Sequence, residues 1–129
     1  AVDMTKNAKV NVDSFSNDDL ITCYSNDYGY ENWIANVLRY QANKKDLVIF
    51  ASVSGNSPNL VNGVKYCRKN SIDTFCLTGS KRNNKLNKLS DNFFWIDSNS
   101  YNQVEIVHHM FLLMIVDVII GKDVYTTDI

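Results

Sequence analysis

Residues 46–68, DLVIFASVSGNSPNLVNGVKYCR, leave the chain few choices of local structure. Leu47 to Ala51 form a short apolar run that ends in Ser and Gly, the pattern of a buried parallel strand. Downstream, Leu60, Val61, Val64 and Cys67 fall at i, i+1, i+4 and i+7, one stripe of a helix that must pack on a sheet. Ser57 suits a helix N-cap and Pro58 a first helical position, where its missing N–H would be unpaired in any case. The stretch therefore predicts strand, hydroxyl-rich turn, helix. Such a turn directs backbone N–H groups and the positive helix end to one point in space. Ser52, Ser54 and Ser57 add donors there without adding charge, which suits a phosphate monoester. An ordinary βα turn uses the same residue types, so spacing alone leaves both readings open. The loop is neither a P-loop, since no Lys follows the glycine in place, nor a G-x-G-x-x-G dinucleotide turn.

The remaining chain fits one globular domain, 1–129, with 45% hydrophobic and 21% charged residues. A net charge of −1 argues against a nucleic-acid partner, which would call for clustered excess Lys and Arg. The cysteines, Cys23, Cys67 and Cys76, are odd in number and lack metal-ligand spacing; they read as reduced, buried thiols of a cytoplasmic protein. The sequence shows no signal peptide. The apolar run from Met110 to Ile120 is interrupted by Asp117 and is too short to span a bilayer, so no membrane partner is expected.

Residues 8–15 alternate apolar and polar as an edge strand would. Residues 16–19 (SNDD) cap a short helix, and Asn26-Asp27 before Tyr-Gly reads as a turn and cap. Residues 30–41 predict an amphipathic helix, with Ile34, Val37, Leu38 and Gln41 at helical spacing and Trp33 packed beside them. Strands are expected at 72–78 and 93–96. The basic tract 81–88, KRNNKLNK, reads as a solvated loop and short helix. Residues 100–121 form the last helix, with Ser100 as cap and Gly121 as stop. The whole predicts an α/β three-layer sandwich, a mostly parallel sheet flanked by helices, with a ligand at the C-terminal ends of the strands. The second half of the last helix is apolar nearly all round and needs cover on more than one side, which another subunit can provide. Asp117 within it then needs a partner. Glu105, His108 and His109 lie at i, i+3 and i+4, so the carboxylate can reach either ring in a Glu–His pair able to move protons near neutral pH; an exposed capping pair or an interface would use them equally well.

Three of these segments together carry a resemblance. The Ser-x-Ser-Gly-Asn-Ser-Pro-Asn loop of residues 52–59, the Asn-Asp-aromatic-Gly-aromatic segment of residues 26–30, and Leu77-Thr78-Gly79 resemble the sugar isomerase (SIS) domain, and within it the phosphoheptose isomerase group. The resemblance covers residues 3–122. It implies a Rossmann- or flavodoxin-like SIS fold in a cytoplasmic homodimer or homotetramer joined through the last helix. It also implies an aldose–ketose isomerase of the sedoheptulose 7-phosphate type, acting in lipopolysaccharide or capsule biosynthesis. Residues 1–6 match the tail of a helix. The family's N-terminal helix, first strand and Gly-rich loop have no counterpart in the sequence. By the same resemblance Ser52, Ser54 and Ser57 bind the substrate phosphate and Asn26 and Asp27 lie at the substrate, with Asp27 the direct contact. Asp3 stands where the group has a catalytic Glu, Glu105 where it has a Gln, and Asn102 where it has an Asp. Tyr101 and His108 match an aromatic residue and a histidine, and Leu113 replaces the catalytic His. The resulting set of catalytic candidates is Asp3 or Glu105 as base with His108 or His109 as partner. Some members carry zinc; with Leu113 at the histidine position neither a metal nor another cofactor is expected. The replaced histidine supports an alternative, a non-catalytic SIS module that binds a sugar phosphate as a signal or serves as an oligomeric adaptor.

Overall fold

The structure, a computed structural model, describes residues 1–123 and Thr126. Six helices and three strands follow one another as α1 (Val2–Lys6), α2 (Asp18–Tyr28), α3 (Trp33–Gln41), β1 (Leu47–Ser52), α4 (Pro58–Lys69), β2 (Asp73–Thr78), α5 (Lys85–Leu89), β3 (Asn92–Trp95) and α6 (Tyr101–Ile120) among the described residues. The strands form one parallel sheet in the order β1-β2-β3. The β1–β2 register runs from Leu47 opposite Asp73 to Ser52 opposite Thr78, so both strands end at the same level.

The two faces of the sheet are filled differently. Phe50 and Cys76 point to the side covered by α3, α4 and α5, where they join Ile34, Val37, Leu38, Val61, Val64, Cys67 and Leu86 in the main core. Burial pushes the Cys67 thiol up to about 12 and that of Cys76 to about 11, so neither forms a thiolate at neutral pH, whereas Cys23, against expectation, is exposed on α2. On the opposite face α6 is anchored by Phe111, whose ring stacks on Phe94 at 4.4 Å and lies parallel to Phe75 at 5.9 Å. The result is an α/β sandwich of three layers. Asp91, just before β3, accepts from the N–H and hydroxyl of Thr74 at 2.8 and 2.7 Å, which ties the start of β3 to β2 and holds the Asp91 carboxyl below its usual range.

Several boundaries depart from the expectations. Residues 8–15 form no strand; they run as irregular chain and pair with neither edge of the sheet, so their alternation is not met by a ladder partner. Asn17, as expected, caps α2 by accepting from Asp19 and Leu20 N–H, but the helix continues through Asn26 and Asp27 to end at Gly29. The Asn-Asp pair is thus the last turn of a helix rather than a separate turn. Helix α3 begins at Trp33 rather than at residue 30. The last helix has the expected bounds, with Gly121 in the left-handed conformation at its end. Taken whole, its 20 residues are long and apolar enough to cross a membrane, unlike the shorter run read by itself. Its outer face is largely uncovered, with Ile106, Met110, Leu113, Met114, Val118 and Ile119 exposed.

The main core leaves no room where α3 meets α4. A Cβ added to Gly63 would lie 2.8 Å from both Ile34 Cγ2 and Phe50 Cε1. Gly63→Ala is therefore expected to destabilise the fold by about 1–3 kcal/mol through overpacking, despite the better helix propensity of alanine. Urea unfolding checks this: the midpoint should fall while the slope stays unchanged.

Candidate functional site

The C-terminal ends of β1 and β2 meet in a network of loop hydrogen bonds. Beyond Ser52 the chain turns at once: Gly55 N–H donates to both the carbonyl and the Oγ of Ser52 at 3.2 Å. Asn56 N–H donates to Ser54 Oγ at 3.2 Å, and the Asn56 side-chain amide donates to Ser54 C=O at 2.9 Å. Ser52 and Ser57 face each other with hydroxyls 3.4 Å apart. Ser57 occupies the cap position of α4, but its hydroxyl makes no cap bond. The first-turn amides of this 12-residue helix are thus not satisfied by their own cap, and the loop hydroxyls gather beside them.

Gly55 shows why the loop takes this shape. It is buried with φ +62°, in the left-handed region, and a Cβ there would collide with the side chain of Asn84. Asn84 belongs to a second wall built by the segment after β2. Leu86 N–H donates to Gly55 C=O at 3.0 Å, and Lys85 N–H to Asn56 Oδ1 at 3.2 Å. Asn84 caps α5 through Asn87 N–H and also donates to Lys81 C=O. Asn87 accepts from the buried Thr78 hydroxyl at 2.8 Å and donates to Arg82 C=O at 2.9 Å. Asn84 and Asn87 are 4% and 7% exposed, so these side chains hold the segment from inside. The two strand exits are also joined directly, Gly79 N–H donating to Val53 C=O at 2.9 Å. The asparagine pair was missed in the sequence, where residues 81–88 read as solvated; its only signal was two asparagines three apart beside Leu86.

The candidate acid–base residues divide between buried and exposed positions. His108 is 5% exposed, with Nε2 3.3 Å from the carbonyl of Thr78, where a protonated Nε2 would donate. Burial lowers its pKa from 6.5, against the opposing pull of the Thr78 carbonyl and Glu105, so the ring is neutral at pH 7. Glu105 and His109 are exposed. Asp3 is half-buried on α1, which packs against α6. Asn26 and Asp27 are exposed at the end of α2, where the Asn26 amide donates to Asp27 Oδ1 at 3.1 Å. The link from this region to α4 runs instead through Asn62, whose amide donates to Glu31 C=O at 2.9 Å and to Asn32 Oδ1 at 3.2 Å. The structure therefore brings Ser52 and Ser57 together and seats His108 below the exit of β2. No hydrogen bond among those described joins Asp3, Asn26, Asp27, Glu105 or His109 to the serine loop. No cluster of three or more His, Cys, Asp or Glu residues able to hold a metal occurs among the described residues.

Comparison with known proteins agrees with this architecture. No protein-family profile matches the chain. The chain is 33% identical over 104 residues to a phosphoheptose isomerase of Fusobacterium nucleatum, covering 81% of this chain and 53% of that protein. It is 35% identical over 91 residues to a phosphoheptose isomerase of Aliarcobacter butzleri, covering 70% of this chain and 48% of the relative. Among solved structures, a phosphoheptose isomerase from Francisella tularensis superposes with a TM-score of 0.80 at 19% identity, over 94% of this chain and 69% of its own. One from Neisseria gonorrhoeae does so with a TM-score of 0.76 at 21% identity, over 81% and 58%. The chain spans about half the length of these curated relatives.

The buried histidine generates a pH dependence. Its folded pKa lies below the unfolded value, so the unfolded chain takes up a proton first as pH falls and stability declines below about pH 6.5. Melting temperature is expected to drop between about pH 7.5 and about pH 5. In His108→Gln, which keeps an amide N–H for Thr78, that part of the slope should vanish.

Proposed function

We propose that this chain, a relative of the phosphoheptose isomerases that carries their α/β fold, binds a phosphorylated sugar at residues 52–57 and is a sugar-phosphate isomerase of the aldose–ketose type. The observation that carries the reading is the cluster of Ser52 and Ser57 hydroxyls against an α4 N-terminus that its own cap residue leaves unsatisfied. A phosphate monoester supplies the acceptors that such a cluster lacks. Ser54 sits in the same turn, its hydroxyl accepting from Asn56 N–H and free to rotate its proton toward a ligand. Asn26 and Asp27 take the role of sugar contacts on the α2 side.

Isomerisation moves a proton between adjacent carbons through an enediol, which needs a base at carbon and an acid at the carbonyl oxygen. Asp3 or Glu105 takes the first role and His108 or His109 the second. A second reading, a sugar-phosphate-binding module without turnover, is favoured by two observations. The Nε2 of His108 is committed to the Thr78 carbonyl, and Leu113, at the family's histidine position, is 44% exposed on the outer face of α6. Either reading places a homo-oligomer on the uncovered apolar face of α6, because a second copy of the same helix offers matching apolar surface.

Thermal melting with sedoheptulose 7-phosphate, other sugar phosphates and the unphosphorylated sugars tests the site. Stabilisation is expected from phosphorylated sugars only, and is lost in Ser54→Ala/Ser57→Ala. A folded protein that responds to none of them would overturn the reading. Turnover of sedoheptulose 7-phosphate that falls at least about 100-fold in Glu105→Ala or in Asp3→Asn identifies the base and excludes the module without turnover. For the assembly, light scattering should show an oligomer that becomes monomeric in Met114→Glu/Val118→Glu. A wild-type monomer that co-sediments with lipid vesicles would overturn self-association.

A further inference from the structure

We propose that the basic tract 81–88 is the charged half of the ligand site, supplying the positive potential that the neutral serine loop lacks and thereby selecting dianionic phosphate esters. This rests on the reading of residues 52–57 as a phosphate site. Between Asp73 and Asp91 the chain has no acidic residue, yet it places Lys81, Arg82, Lys85 and Lys88 there. All four are exposed, as is Asn83, whereas Asn84, Leu86 and Asn87 are buried. The short α5 is thus held from inside by amides, and its charges are left at the surface beside the loop.

The tract is fastened to the serine loop at adjacent residues. Leu86 N–H reaches Gly55 C=O at 3.0 Å, Lys85 N–H reaches Asn56 Oδ1 at 3.2 Å, and Gly55 packs against Asn84. These bonds fix the Lys85 backbone beside Asn56, itself next to Ser57, within the order of one Debye length, about 10 Å at 0.1 M salt, of the loop. Arg82 is further held over the Trp95 ring, 5.7 Å from its centroid, and Trp95 Nε1–H donates to Ser80 C=O at 3.0 Å. A solvated basic loop elsewhere on the surface would screen itself with counterions and affect nothing nearby. Here the same charges act on a site whose own donors are neutral hydroxyls and amides. Their field raises the local concentration of an anion and favours its doubly charged form.

Titration calorimetry of the intact chain with sedoheptulose 7-phosphate and with inorganic phosphate tests the proposal, using Lys81→Gln/Lys85→Gln/Lys88→Gln beside the wild type. Arg82 is left in place because it packs on Trp95. Circular dichroism and the ligand-free melting temperature control for folding and are expected to be unchanged, since the three lysines are exposed. The wild type is expected to lose affinity steadily between about 20 mM and about 300 mM KCl, and the variant to bind about tenfold more weakly at the low end with a much flatter salt dependence. A folded variant with wild-type affinity and salt slope would overturn the proposal while leaving the serine loop standing, provided Ser54→Ala/Ser57→Ala abolishes binding. Absence of binding by the wild type to either probe would overturn both. The tract would equally be rejected if the variant lost affinity by a factor that salt did not change, because that signature belongs to a displaced loop.

Discussion

The fold turns on the parallel pairing of β1 and β2 in a register that ends both strands at one level. Ser52 lies opposite Thr78, and from there the two exits are stitched together by Gly79 N–H to Val53 C=O and by Leu86 N–H to Gly55 C=O. A register shift of a single residue would turn one of the facing pair Phe50 and Cys76 to the α6 face and separate the two strand exits. The serine loop is therefore no free surface turn. It is shaped by the strand beside it and by the segment that follows that strand.

That dependence reaches into the interior through amides rather than apolar contacts. Asn84 and Asn87 are buried with their hydrogen bonds made, and they connect the Thr78 hydroxyl, the α5 cap and the backbone of residues 81 and 82. A five-residue helix is too short to persist on its own propensity. It exists because these bonds and the buried Leu86 hold it against α4 and β2. On the other face of the sheet, Val104 and His108 bring α6 to the same strand exit: a Cβ on Gly79 would lie 2.7 Å from Val104 Cγ2, and His108 meets the Thr78 carbonyl. Both layers thus converge on residues 78 and 79. Beyond that convergence the Phe111 ring lies against Phe75 and Phe94, Val116 is buried and α1 packs on the helix, while its outer side remains apolar and open.

Much of this was legible from pattern. The strand–turn–helix of residues 46–68 came out as read, because an apolar run, a cluster of turn residues and a helical stripe each favour the same local answer. The position of Pro58 at the start of α4 and of Gly121 at the end of α6 followed from backbone chemistry that needs no tertiary context. Residues 8–15 misled for the opposite reason. Alternation marks a strand only where the segment pairs with an edge, and these residues pair with neither edge of this sheet. The Asn26-Asp27 pair misled because turn-forming residues also end helices, and Gly29 rather than the pair itself stops α2.

The amino-acid sequence by itself determined the element types, the apolar faces and the chemistry available in the loop: three hydroxyls, no charge and a proline-started helix. These depend on neighbours within a few residues, which the chain carries with it wherever it folds. The tertiary structure decided which distant groups meet. It turned the Ser57 hydroxyl toward Ser52 instead of its own helix, buried His108 under Thr78 while leaving Glu105 and His109 exposed, and set the basic tract against Gly55 and Asn56. Those outcomes are contacts between residues far apart along the chain or competitions between alternative hydrogen-bond partners, and only the packed sheet, by bringing the two strand exits to one level, settles them.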